Sequence, residues 1–210
     1  FAEFMELALY WPKGGYYRKP LNEVSQGDFY TSPAAHPAFG SLICLQVYQV
    51  WLILKRPDPF WVIEMGAGRG VLSHDLIEYS RYLPDGFHSS LNYICLDYTS
   101  GWGVEGSLRS TCSVQRLVTG NVPLRGITGC FLSNELLDAL PVHRIIMCKG
   151  VLQEIYVTLQ DGHFIEKIGQ PSTPALEQRL DNLGIMLPDG FSTEISLTLT
   201  AWMEEVALAL

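Results

Sequence analysis

Phe60-Trp61-Val62-Ile63-Glu64-Met65-Gly66-Ala67-Gly68-Arg69-Gly70 decides how this chain is read. A strand-forming apolar run stops at three glycines spaced two apart. Leu72, Leu76, Tyr79 and Leu83 then recur at helical intervals as far as the Pro84-Asp85-Gly86 turn. Strand, glycine turn and helix make the opening unit of a doubly wound α/β sheet, which binds ligands in the crevice outside the carboxyl ends of its strands. Glycine supplies positive φ and close backbone approach, and a helix N-terminus supplies inward-facing N–H donors. A purely structural turn would use the same residues, because a glycine triplet alone has little specificity.

The spacing separates ligand classes. A dinucleotide fingerprint requires Gly-x-Gly-x-x-Gly, but here the third glycine comes one residue early and Val71 stands where it belongs. That disfavours a nicotinamide-dependent oxidoreductase. Glu64, just ahead of the glycines, would repel a pyrophosphate and suits a cationic ligand such as S-adenosylmethionine, which carries a sulfonium and an ammonium.

Composition narrows the field further. The 210 residues are 48% hydrophobic and 17% charged, as in a globular chain with a sizeable core. A formal net charge of −8 with no Lys/Arg cluster argues against nucleic acid as a partner. The longest apolar stretch, Val47 to Leu54, is broken by Gln49 and too short to span a bilayer. Cys44, Cys95, Cys112, Cys130 and Cys148 lack metal-type spacing and read as reduced thiols. His36, His74, His88, His143 and His163 show no ligand spacing either, so no metal site is expected.

Around the glycine turn the chain divides into an N-terminal helical cap (1–59), a Rossmann-like core (60–141) and an antiparallel β insert with returning helices (142–210). Phe1, Phe4, Met5, Ala8 and Leu9 trace one helix, ended by Pro12. Phe39, Leu42, Ile43, Val47, Val50, Trp51 and Leu54 trace the buried face of another. Asn92 to Asp97 reads as the second strand, and its terminal carboxylate either accepts hydrogen bonds from ribose hydroxyls or is simply exposed at a strand end. Gly129 to Ser133 is a later strand that runs into Asn134-Glu135-Leu136-Leu137-Asp138-Ala139-Leu140-Pro141. This segment fits a capped helix start, and it also sets Asn134, Glu135 and Asp138 at the edge of the sheet that faces a ligand. Past Pro141, Val142 to Cys148, Leu152 to Leu159 and His163 to Ile168 read as strands joined at Lys149-Gly150 and Asp161-Gly162. Helices follow near Ala175 to Leu183 and from about Thr198.

Together these motifs carry a resemblance. Phe1 to Tyr10, Gly15-Tyr16-Tyr17, Gly27-Asp28-Phe29-Tyr30-Thr31-Ser32-Pro33 with Phe39-Gly40, Glu64 to Gly70, and Asn134 to Pro141 are similar in order and kind to the DUF185/MidA family. The resemblance implies a class I methyltransferase sheet using S-adenosyl-L-methionine, in a family found in bacterial cytoplasm and the mitochondrial matrix. Its mitochondrial members methylate arginine on protein substrates and serve respiratory complex I assembly, so a respiratory-chain subunit is the implied partner type. It also implies that Glu64, Gly66, Gly68, Gly70, Asp97, Asp28 and Thr31 lie on the cofactor side, with Glu135, Asn134 and Asp138 on the catalytic side. Glu105, in Val104-Glu105-Gly106-Ser107, competes with Asp97 as the ribose acid. Family members continue into a further strand ending in Asp-Tyr-Gly, so the resemblance implies an N-terminal portion with its C-terminal strands missing. Two functions follow: methyl transfer to a protein side chain, or an assembly or binding module that keeps the fold without turnover.

Overall fold

The computed structural model describes residues 1–18, 31–84, 86–98 and 113–210. In chain order these form helices α1 (Ala2–Tyr10), α2 (Ser32–Ala35), α3 (Ala38–Ile53), α4 (Val71–Ser80), α5 (Phe87–Ser90), α6 (Ala175–Leu183) and α7 (Thr198–Ala209). The strands are β1 (Phe60–Met65), β2 (Leu91–Asp97), β3 (Ser113–Val118), β4 (Gly129–Leu132), β5 (His143–Cys148), β6 (Val151–Gln160), β7 (His163–Gly169) and β8 (Ser192–Ile195). The chain divides into two compact units, Tyr16–Leu137 with Met203–Leu210, and Phe1–Gly15 with Asp138–Trp202. The α/β class expected from the sequence is what forms. The two units and the three sequence segments cut the chain at different places: residues 1–15 group with the antiparallel sheet and 203–210 with the parallel one.

The first unit is built on a parallel sheet of order β3-β2-β1-β4. β1 is apolar on both sides because a central parallel strand is covered on both faces: Phe60, Val62, Ile63 and Met65 are all buried. The chain runs outward from β1 to β2 and β3, then returns to the opposite side of β1 as β4. That reversal is the topological switch point where such sheets open a ligand crevice. Gly129 lets β4 pair this closely, since a side chain there would run into the Trp61 carbonyl oxygen.

α3 and α4 cover one face, burying Cys44, Val47, Trp51, Leu76 and Ile77 against Phe60, Val62, Tyr93 and Cys95. The buried stripe of α3 is Gly40, Cys44, Val47 and Trp51, rotated from the expected one, with Leu42 and Leu54 exposed. A small residue decides this: a side chain on Gly40 would meet Asp75 Cβ at 2.6 Å, so α3 turns its glycine to α4. The end of α7 belongs to this unit too. Its Ala209 carbonyl accepts the Ile127 N–H at 2.8 Å, and the Glu205 carboxylate accepts the Val122 N–H at 3.1 Å.

The second unit is an antiparallel sheet of order β7-β6-β5-β8. Lys149-Gly150 and Asp161-Gly162 make its tight turns with both residues left-handed, the type I′ geometry that matches strand twist. α6 buries Leu176 and Leu180 on Ile145, Leu152 and Ile195. α1 meets the sheet through Phe4 against Phe164 (5.1 Å) and a Tyr10 hydroxyl that donates to the Ala139 carbonyl at 2.7 Å. No helix follows Asn134, only a single 3-10 turn over Leu137–Ala139. No described helix is long and apolar enough to cross a membrane.

Glu154 is buried in this unit and accepts from His143 Nδ1 (2.7 Å), the Ser172 N–H (2.6 Å) and the Tyr156 hydroxyl (3.1 Å). Burial pushes its carboxyl up, but the three donors outweigh that and hold it below the usual carboxylate value. A lowered folded-state pKa gives stability that is present above the ordinary value and lost as pH falls through the folded one. Glu154→Gln should therefore flatten the acid limb of thermal stability, measured as Tm between pH 7 and pH 3. An unchanged acid limb would show that Glu154 is not the group that fails.

Candidate functional site

The turn after β1 is shaped by its glycines. Gly66, Gly68 and Gly70 have φ of +74°, +50° and +74°, a region that side chains disfavour. The Gly66 N–H bonds the Leu96 carbonyl (2.9 Å) and the Gly70 N–H bonds Ala67 (2.8 Å), closing the turn into α4. Ser73 Oγ donates back to the Gly70 carbonyl at 2.9 Å. A side chain at Gly66 would lie 3.0 Å from Leu136 Cδ1, and one at Gly70 would lie 3.3 Å from both Arg116 Nη2 and Ser73 Oγ. Gly68 differs: nothing lies within 4 Å of where its side chain would be, so the turn opens there. Its N–H donates to Asp97 Oδ2 at 2.8 Å, which sets the half-buried end of β2 beside the turn.

Glu64 lies deeper. It is 3% exposed and accepts the Tyr93 hydroxyl at 2.8 Å. Burial pushes its carboxyl up to about 7; the Tyr93 hydroxyl and Arg116 pull it down, and the charge of Asp97 pushes it further up. Burial also pushes the thiols of Cys44, Cys95 and Cys130 up to about 12, which leaves them inert as nucleophiles or metal ligands. Among the described residues no three His, Cys, Asp or Glu side chains could hold a metal ion.

The segment after β4 reaches the same edge, because β4 pairs with β1 in parallel and Leu136 packs on Gly66. Asn134 is half-buried there, and Glu135 is exposed with a φ of +53°. Asp138 begins the antiparallel unit. Thr31 precedes α2, its carbonyl accepting the N–H groups of Ala34 and Ala35, and α2 packs on α3 and α4. Asp28 and Glu105 lie outside the described residues. Three neighbours carry no role in the sequence reading: Tyr93 beside Glu64, and Arg116 and Leu136 beside the turn. A further cluster sets the Arg18 guanidinium 5.3 Å above the ring of Tyr98, which itself lies against Gly120. Tyr93 and Cys95 alternate along β2 on the face Glu64 shares, which was a usable signal. Arg116 gives none, because Gln115 and Arg116 interrupt the apolar pattern that would mark β3.

A family described as "Putative S-adenosyl-L-methionine-dependent methyltransferase" matches residues 42–210. The chain belongs to this family. That agrees with the motif resemblance, and the match covers the glycine turn, Asp97 and the Asn134-Glu135 segment. The Homo sapiens mitochondrial protein arginine methyltransferase NDUFAF7 is 37% identical over 183 residues, 75% of this chain and 41% of its own length. A crystal structure of a COG1565 superfamily protein from Burkholderia thailandensis superposes with a TM-score of 0.77 at 26% identity, covering 100% of this chain and 53% of that one. A second member from that organism, bound to S-adenosyl-homocysteine, gives 0.78 at 24% identity, covering 100% and 55%. The chain spans under half the length of the curated relatives it matches.

The residues present suit the family's cofactor. The turn leaves open space beside Gly68 where any side chain would intrude, and a carboxylate closes its β2 side. Glu135 is costly where it stands, since a left-handed φ disfavours an ordinary residue by roughly 1–2 kcal/mol. Replacement by Gly should therefore leave the protein about 1 kcal/mol more stable than replacement by Ala. Urea unfolding of the two variants measures this. Equal midpoints would mean that the backbone relaxes out of the left-handed region.

Proposed function

We propose that this chain is the cofactor-binding part of a methyltransferase that modifies a protein side chain, arginine foremost. The observation that carries the reading is the juxtaposition at the switch point: an open left-handed glycine turn tied to Asp97, with the Asn134-Glu135 segment packed onto the same turn through Leu136. The bound cofactor supplies a methyl group on a sulfonium, activated toward a nitrogen nucleophile. Gly66, Gly68 and Gly70 let the backbone approach the cofactor's methionine end, and Asp97 accepts its ribose hydroxyls while holding the turn. Glu135, exposed and charged, pairs with a guanidinium and orients its nitrogen, which carboxylates do in bidentate, charge-assisted fashion. Asn134 supplies a further polar contact on the substrate side and Thr31 lines the cofactor side, while Asp138 and Asp28 are assigned to those roles by the family resemblance alone. Segment 60–141 then binds cofactor and 142–210 serves substrate. Holding nucleophile and methyl in near-attack geometry supplies several kcal/mol of the barrier, roughly 7–11 at most. In a eukaryotic cell this reading corresponds to a mitochondrial matrix enzyme acting on a respiratory-chain subunit, and in a bacterium to a cytoplasmic one.

Calorimetry with S-adenosylmethionine is the direct test, because a scaffold with a degenerate pocket gives no heat of binding. Gly68→Val should abolish binding while the fold survives. Asp97→Ala should lose roughly 1.5–3 kcal/mol of affinity, the scale of hydrogen bonds to a charged group. Glu135→Gln in the full-length protein should abolish single-turnover methyl transfer and leave cofactor affinity nearly unchanged. Retained transfer in that variant would remove Glu135 from the chemistry.

A further inference from the structure

We propose that Glu64 makes cofactor binding proton-linked, so that the site distinguishes the sulfonium methyl donor from its neutral demethylated product. This rests on the cofactor reading above and adds a specificity role to it. Glu64 lies two residues before Gly66, inside the sheet rather than in the crevice, so a ligand on the turn feels its charge without touching it.

The groups around Glu64 leave its charge only partly balanced. β2 contributes the Tyr93 hydroxyl at 2.8 Å, the Cys95 thiol on the paired residue, and Asp97 as a like charge. β3 contributes the Arg116 guanidinium, which lies against Gly70. Cys130 of β4 faces Tyr93, and α4 contributes the neutral Ser73 hydroxyl. A dry carboxylate with a neutral donor at contact and one more distant cation is near the balance between its two forms, and burial brings it to about 7. A unit positive charge settling on the turn favours the ionised form, so the proton leaves Glu64 for solvent as the donor binds. The demethylated thioether has lost the sulfonium and keeps an ammonium offset by its own carboxylate, so it brings no net charge and leaves Glu64 close to where it was. Linkage is reciprocal: donor affinity rises with pH across the titration range of Glu64, and product affinity does not. Arg116 already draws Glu64 toward the ionised form, so its removal moves the proton release to higher pH.

The test is isothermal calorimetry at pH 7 in two buffers of different ionisation heat, with S-adenosylmethionine and S-adenosylhomocysteine as probes. A carboxyl near half-protonation whose pKa drops by one should release about 0.4 proton per donor bound, and roughly none with the product. Donor affinity should rise about five-fold from pH 6 to pH 8 while product affinity stays within about two-fold. Glu64→Gln, whose amide oxygen can still accept from Tyr93, should abolish the release; Arg116→Met should move the pH of greatest release upward. Equal release with both ligands, or release that persists in Glu64→Gln, would overturn the proposal. Should Glu64→Gln fail to fold, the direction of the Arg116→Met change and the pH dependence of the parent decide the matter. Binding without proton release sinks this proposal alone, whereas no heat with either ligand sinks the cofactor reading as well.

Discussion

The hydrogen bond from the Gly68 N–H to Asp97 is the contact on which the candidate site depends. It can form only if β1 and β2 end level with each other, and the parallel register, which pairs Glu64 with Cys95 and Met65 with Leu96, provides that. A one-residue slip would turn Glu64 and Asp97 to opposite faces of their strands and bury neither apolar set correctly. The register is in turn fixed by the two apolar runs, since a strand buried on both faces has no tolerant side. The left-handed glycines do the rest by aiming the N–H at the carboxylate rather than at solvent.

The two acids near this turn show how environment, not residue type, sets chemistry. Asp97 is half-buried at a strand end and takes a backbone N–H donor directly. Glu64, less than a turn of chain from the same glycines, is dry and receives one hydroxyl. The first is suited to hold a ligand by contact. The second is suited to sense one by charge. The same dryness that raises Glu64 raises the neighbouring thiols and takes them out of any chemistry, so burial here selects which groups can act.

Local signals made much of this legible in the sequence. The glycine turn, β1, β2 and the hairpins at Lys149-Gly150 and Asp161-Gly162 follow from residues whose backbone preferences act within a few positions. What escaped depends on distant partners. β3 has Gln115 and Arg116 in mid-strand, tolerated because it lies at the sheet edge. β8, Ser192–Ile195, has only its final residue buried and exists because β5 offers a free side. The rotation of α3 was set by how closely Gly40 approaches α4, which the helical period cannot reveal. The expected helix at Asn134 is absent although its capping residues are present, because the chain turns left-handed at Glu135 instead.

That turn is the last informative conflict. A left-handed residue chosen only for geometry would be Gly or Asn, which occupy the region at little cost. Glutamate there has a large side chain and a β-carbon that the conformation penalises, yet its carboxylate has no partner among the described residues that would repay the strain. Strained, non-glycine backbone that the surrounding structure holds in place is found where a side chain must point in one direction. Here the holding is visible: Leu136 packs on Gly66, and β4 is fixed in register with β1. Under the proposed function, the exposed carboxylate kept here at the expense of stability serves as the charged, orienting contact to a substrate; a helix-dipole role does not apply, because no α-helix begins there among the described residues.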